Sequence, residues 1–113
     1  MNNCHISYVE FKTNSIEDAK KFYNSAFGWT FTDYGPDYTA FENSGLFGGF
    51  EKTDDIITNG ALVVLYHEDL EQIKSKVKEC GGVISKDIFS FPGGRRFHFT
   101  DPSGNELAIW SDK

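Results

Sequence analysis

Three histidines, two cysteines and a handful of carboxylates are the residues of this 113-residue chain whose types could carry chemistry. A nucleophilic mechanism needs an activating base beside the nucleophile. Cys4 and Cys80 form no CxxC pair, and the serines fall in turns or caps without a recognisable activating base, so such a mechanism has little support. The thiols read as reduced structural filler. His5 lies near the N-terminus and reads as exposed; His67 sits where a strand gives way to a helix cap, which suits helix-start hydrogen bonding. His98 shares a strand face with Arg96, opposite Phe97 and Phe99. Gly45-Leu46-Phe47-Gly48-Gly49 is followed by strand-like residues, without the helix whose N-terminus could hold a phosphate. Its glycines therefore permit close strand packing or leave space for a ligand. Glu10 and Glu106 remain as the candidate catalytic residues. Buried, either could hold a cationic group or act as a general base with a raised pKa; at a sheet rim both would be solvated. Trp29, Tyr34, Tyr38, Phe47, Phe50 and Trp110 could stack on a flat ligand, as aromatic side chains do, or simply pack.

The elements that must position these residues follow from periodicity. Ser15 can cap a helix with Asp18 three residues on. Ile16, Ala19, Phe22, Tyr23, Ala26 and Phe27 then form an apolar face up to Gly28. Asp69 and Gln72 repeat that start, Leu70, Ile73, Val77 and Cys80 repeat the stripe, and Gly81-Gly82 ends it. A shift of 54 places Ile16 on Leu70, Lys20 on Lys74 and Gly28 on Gly82. Turns at Glu42–Gly45 and Asp101–Gly104 match at a shift of 59, which implies about five extra residues in the second half, placed in the Ser90–Gly94 loop. Each half reads strand, helix and about three strands, one half spanning about residues 3–55 and the other 56–113 of a single domain, with helices near 15–27 and 69–80. Alternation sets Val9 and Phe11 toward a helix, with Tyr8 and Glu10 on the other face. It likewise sets Leu107 and Ile109 inward, with Glu106, Ala108 and Trp110 joining Leu62, Val64 and Tyr66 opposite.

Composition narrows the partners. Eleven Lys and Arg against seventeen Asp and Glu give a net charge of -6, which repels nucleic acid and anionic lipid. No apolar run reaches membrane-spanning length, and Met1-Asn2-Asn3-Cys4-His5 has no signal-peptide character. A cytoplasmic location is the expectation.

Taken together, SYVEFKTNSIEDAKKFYNSAFGW, GLFGGF, VVLYHEDLEQIKSKVKECGG and FTDPSGNELAIWSD resemble the vicinal oxygen chelate superfamily. That superfamily includes glyoxalase I, bleomycin-resistance proteins, fosfomycin-resistance enzymes and extradiol dioxygenases, and the likeness is nearest to small proteins related to lactoylglutathione lyase. The resemblance implies an α+β fold of two βαβββ modules forming a U-shaped mixed sheet around a cavity, helices on the convex face, commonly as a homodimer. It also places the four metal-ligand positions of the metal-using relatives on Tyr8, Gly49, Leu62 and Ala108. Gly, Leu and Ala carry no donor and a phenol is a poor one, so no metal and no other cofactor is expected there. Glu106 falls two residues short of the last position, and a displaced site would need Glu10, Glu106 and a histidine.

Three functions from different classes follow. The first is a metal-free protein that binds a small aromatic or cationic molecule through Tyr8, Glu10, Phe47, Leu62, Val64, Tyr66, Glu106, Ala108 and Trp110. The second is a lyase or isomerase related to glyoxalase I, acting on a carbonyl compound with Glu10 or Glu106 as base. The third is an interaction or regulatory module with a vestigial cavity. The fold alone does not choose among them.

Overall fold

The computed structural model describes residues 1–113. Its elements are β1 (Ile6–Thr13), α1 (Ile16–Phe27), β2 (Thr30–Asp33), β3 (Tyr38–Glu42), β4 (Gly48–Lys52), β5 (Ala61–Tyr66), α2 (Leu70–Glu79), β6 (Val83–Phe91), β7 (Gly94–Thr100) and β8 (Glu106–Ser111). Two helices with an open mixed sheet make the fold α+β, and the order βαβββ occurs twice. Contacts group the chain into an N-terminal unit, Tyr8–Ala61, and a C-terminal unit, Leu62–Lys113 with Met1–Ser7.

In the N-terminal unit β1 runs parallel to β4, while β4, β3 and β2 pair antiparallel. The parallel pair requires a long crossover, which α1 and the following hairpin supply. The C-terminal unit is wired identically: β5 is parallel to β8, and β8, β7 and β6 are antiparallel. The repeat extends to an ion pair that ties each helix to the strand after it. Lys20 Nζ lies 3.0 Å from Asp33 Oδ2, and Lys74 Nζ lies 2.5 Å from Asp87 Oδ1. The Lys20–Lys74 match seen in the sequence therefore has its partners in register too.

Both helices start as their caps dictate. Ser15 Oγ accepts from the Asp18 N–H at 3.2 Å and Asp69 Oδ1 from the Gln72 N–H at 3.1 Å, satisfying amides that an α-helix leaves open. At the far end of α1, Gly28 adopts φ 76°, a left-handed conformation that glycine enters without steric cost. The apolar stripe of α1 is narrower than the sequence pattern: Ile16, Ala19 and Tyr23 pack on Phe11, Phe41 and Phe50, but Phe22 and Phe27 are more than half exposed. A flat sheet touches a helix along one line, and these two rings flank it, meeting each other edge-on at 6.1 Å. In α2, Leu70, Ile73 and Val77 pack on Phe97 and Ile109, whereas Cys80 lies past the last turn and is exposed. Neither cysteine is bridged.

The extra residues of the second half are not a loop. They lengthen the β6–β7 hairpin, so that β6 has nine residues where β2 has four, and the turn is closed at Gly93 with φ 106°.

Candidate functional site

On the N-terminal unit the sheet face opposite α1 is built from β1, β3 and β4. Alternation puts Tyr8 and Glu10 there, since Phe11 belongs to the helix-side core. Glu10 is only 4% exposed. Tyr38 Oη donates to Glu10 Oε2 at 3.1 Å and lies 2.5 Å from Tyr8 Oη, so the two phenols and the carboxylate form one chain. Burial, and next the Glu10 charge, raise the Tyr38 pKa far above the ordinary phenol value, which keeps its proton available to donate. Gly49 is what makes room for this. It pairs with Glu10 across β1 and β4, and a Cβ there would collide with the Tyr38 phenol, its Cζ lying 2.7 Å away. Gly48 does the same for Phe41, whose Cε1 would lie 2.7 Å from an added Cβ. Both glycines thus serve close packing. Phe47, in the turn before β4, is 77% exposed.

On the C-terminal unit the corresponding face is built from β5, β8, β7 and β6. Register sets Tyr66 beside Trp110 and Val64 beside Ala108, then Trp110 beside Arg96 and Ala108 beside His98, then Arg96 beside Phe89. Leu62, half-buried, begins the same alternating series. Aromatic rings run across the face. Tyr66 meets Trp110 edge-on at 5.4 Å, Phe91 lies 6.4 Å from Trp110, and Phe89 lies 5.8 Å from the His98 imidazole. The Arg96 guanidinium sits 5.4 Å from the Phe89 ring and 5.8 Å from the Phe91 ring, and Lys86 Nζ 4.2 Å from Phe89. Phe89, Phe91 and Trp110 are all half-buried, while Val64, Tyr66 and Ala108 are buried.

Glu106 is the exposed member of this group, its side chain 46% accessible. It accepts from Ser85 Oγ at 3.1 Å, and its Oε2 lies 3.5 Å from His98 Nδ1. Burial first, then the Arg96 charge, push the His98 pKa below the ordinary imidazole value, with Glu106 opposing both. His98 Nε2 is buried and has no hydrogen-bond partner. Elsewhere, His67 Nδ1 accepts from the Asp69 N–H at 2.9 Å, the helix-start bond its position suggested, and His5 is exposed.

Of the aromatic residues singled out for stacking, Trp29 and Phe50 belong to the N-terminal core, where Trp29 packs on Phe41 at 4.7 Å and Phe50 is 3% exposed. Tyr34 stands in solvent. Sequence reasoning placed His98 on a sheet face, as found, but missed the Tyr38–Glu10 bond and the contribution of Phe89 and Phe91 to that face. The i, i+2 spacing of Phe89 and Phe91 before the turn was the available signal.

The four metal positions do not fit a divalent ion. Gly49 and Ala108 have no donor, the space beside Gly49 is filled by Tyr38, and no three His, Cys, Asp or Glu side chains converge anywhere in the chain. Glu106 does meet a histidine, but without a third ligand. Two hollows, of about 410 and 530 Å³, lie on the helix side of each unit, one along α1 at Asn14, Phe22 and Ile57, the other along α2 at Lys74, Val83 and Asp87. No helix is long and apolar enough to cross a membrane.

A family model described as the glyoxalase/bleomycin resistance protein/dioxygenase superfamily matches residues 5–109. No curated protein matches the sequence. Among solved structures, a glyoxalase/bleomycin resistance protein/dioxygenase superfamily member from Vibrio splendidus 12B01 is similar with TM-score 0.72 at 15% identity, over 95% of this chain and 97% of that one. Methylmalonyl-CoA epimerase from Mycobacterium tuberculosis gives TM-score 0.72 at 11% identity, over 94% and 86%. The Mn(II)-bound glyoxalase from Novosphingobium aromaticivorans gives TM-score 0.69 at 18% identity, over 95% of this chain but only 38% of that protein. At such identities the likeness is one of fold.

Proposed function

Because the chain belongs to the glyoxalase/bleomycin resistance protein/dioxygenase superfamily, we propose that it is a metal-independent small-molecule binding protein whose ligand is aromatic. The observation that carries this reading is the row of half-buried rings, Phe89, Phe91 and Trp110, on the C-terminal sheet face beside Tyr66, Val64 and Ala108. Half-exposed rings on one face offer a flat ligand apolar contact and edge or face stacking, each pair contributing about 0.5–1.5 kcal/mol beyond area burial. The aromatic branch of the sequence expectation has more support than the cationic one. Glu10 is buried and accepts from Tyr38, and Glu106 accepts from Ser85. A cytosolic, homodimeric, single-domain protein remains part of the proposal.

The test is a titration of naphthalene-sized aromatic compounds, read by Trp fluorescence and by the rise in melting temperature, with and without EDTA. Binding that survives EDTA and weakens in Trp110→Ala supports the reading; binding that requires added Mn(II), Ni(II) or Zn(II) overturns it.

A second reading, a lyase or isomerase acting on a carbonyl compound, has one observation in its favour: Glu10 is a buried carboxylate linked through the Tyr38 phenol to Tyr8. A general base in that position would exchange its proton through hydroxyl groups. Turnover of a carbonyl substrate that is lost in Glu10→Gln would establish it.

A further inference from the structure

We propose that His98 is the polar anchor of the ligand site, its Nε2 accepting a hydrogen bond from an O–H or N–H on the aromatic ligand. The inference rests on the aromatic seat described above and names the class of ligand that seat takes: a ring bearing a hydrogen-bond donor, such as a phenol, an anilide or an indole-like N–H.

A buried polar atom without a partner is uncommon, and leaving it unsatisfied is unfavourable, so its retention calls for an explanation in function or in a bound group. His98 Nε2 is such an atom, and it lies on the same face as Phe89 and Trp110. The other ring nitrogen, Nδ1, is turned toward Glu106 Oε2 at 3.5 Å. A carboxylate on that side favours the tautomer with the proton on Nδ1, which leaves Nε2 as an acceptor. Lys86 from β6, Arg96 from β7 and Glu106 from β8 are the charged groups that face the imidazole. Burial first, then the Arg96 charge, hold the imidazole pKa below its ordinary value against the opposing Glu106, which favours the neutral ring and leaves Nε2 an acceptor.

β6 is an edge strand of the sheet. Phe89 packs on the imidazole and stands on β6, whose pairing with β7 shifts register between Ile84 and Lys86 and again between Lys86 and Phe89. The bulged strand carries Phe89 over the imidazole, so this ring covers the approach to Nε2 from the sheet edge.

The test uses two probes of one shape, 2-naphthol and 2-methoxynaphthalene, of which only the first donates. Their binding to the intact chain is followed by naphthalene emission. Wild type is expected to bind 2-naphthol about tenfold more tightly, the worth of one satisfied buried acceptor. His98→Phe is expected to bind both equally, and wild type to lose its preference as pH falls through the imidazole titration. Equal affinity of wild type for the two probes overturns the anchor while leaving the aromatic seat standing; failure of both probes to bind overturns the seat as well. A preference that persists in His98→Phe also overturns the anchor. The wild-type comparison decides the matter if that variant does not fold.

Discussion

The two units share wiring, helix design and even the lysine–aspartate tether of each helix, yet their helix-free sheet faces differ in chemistry. In the N-terminal unit the face is closed by its own side chains: Tyr38 lies over Gly49 and donates to a buried carboxylate. In the C-terminal unit the strand pairing that matches Gly49 with Ala40 matches Ala108 with His98, and the place of Tyr38 is taken by Arg96. The lengthened β6 then adds Phe89 and Phe91 at the edge, residues for which the four-residue β2 has no counterpart. A duplicated topology therefore fixes where faces lie, while a few residues decide what chemistry each face carries.

Adding one methyl group to the filled face is the sharpest way to break this contrast. Gly49→Ala forces the Tyr38 ring either into overlap or away from Glu10, at an expected loss of about 1–3 kcal/mol in urea unfolding. The loss should vanish in a Tyr38→Ala background, and its persistence there would show that Tyr38 is not what fills the space. The mirror change, Ala108→Gly, removes only a buried methyl and strand rigidity, and about 0.5–1 kcal/mol is expected.

Tyr38→Phe keeps the ring but removes the donor to Glu10. We expect about 1–2 kcal/mol of destabilisation at pH 7, since a buried acceptor loses a partner. A variant as stable as wild type would mean that Glu10 does not depend on this phenol.

A smaller effect separates the units by pH. The folded His98 pKa is depressed, so the unfolded chain binds the proton more readily. Stability from this group is full above about pH 6.5, the unfolded imidazole value, and declines as pH falls toward the folded one. His98→Phe should flatten that part of the stability–pH curve. An unchanged slope would assign it to other groups.

The smallest effects belong to what the units share. Asp33→Asn and Asp87→Asn cut the helix tethers, but both carboxylates are exposed, and each should lower Tm by no more than about 2 °C. Both aspartates are held below the ordinary carboxylate range, first by the lysine bond. What they contribute is present above about pH 4 and is lost as pH drops through the lower folded value. A fall in Tm of 10 °C or so in either variant would make the tether a structural requirement.

Much of the architecture was legible from residue order because it rests on local rules. Ser15 and Asp69 announced helix starts because a capping side chain acts within three residues. Alternation alone set Tyr8 and Glu10 away from α1 in the first half, and Glu106, Ala108 and Trp110 away from α2 in the second, and the expectation was that these form a single surface. Local reasoning failed where width or length mattered: Phe22 and Phe27 match the helical period but lie beside the contact line, and the extra residues near Ser90 extended a hairpin where a loop was expected.

The sequence by itself determined the βαβββ repeat, the caps and the alternation of side chains within each strand, because each follows from residue type and short-range periodicity. Only the tertiary structure decided that Glu10 is buried under Tyr38 while Glu106 stands half in solvent, and that Trp29 and Phe50 are core. It alone left His98 Nε2 without a partner on an aromatic face. These outcomes depend on which strands become neighbours and in what register, and pairing across 28 residues, as between Glu10 and Tyr38, is set by the packing of the whole unit and by no local preference.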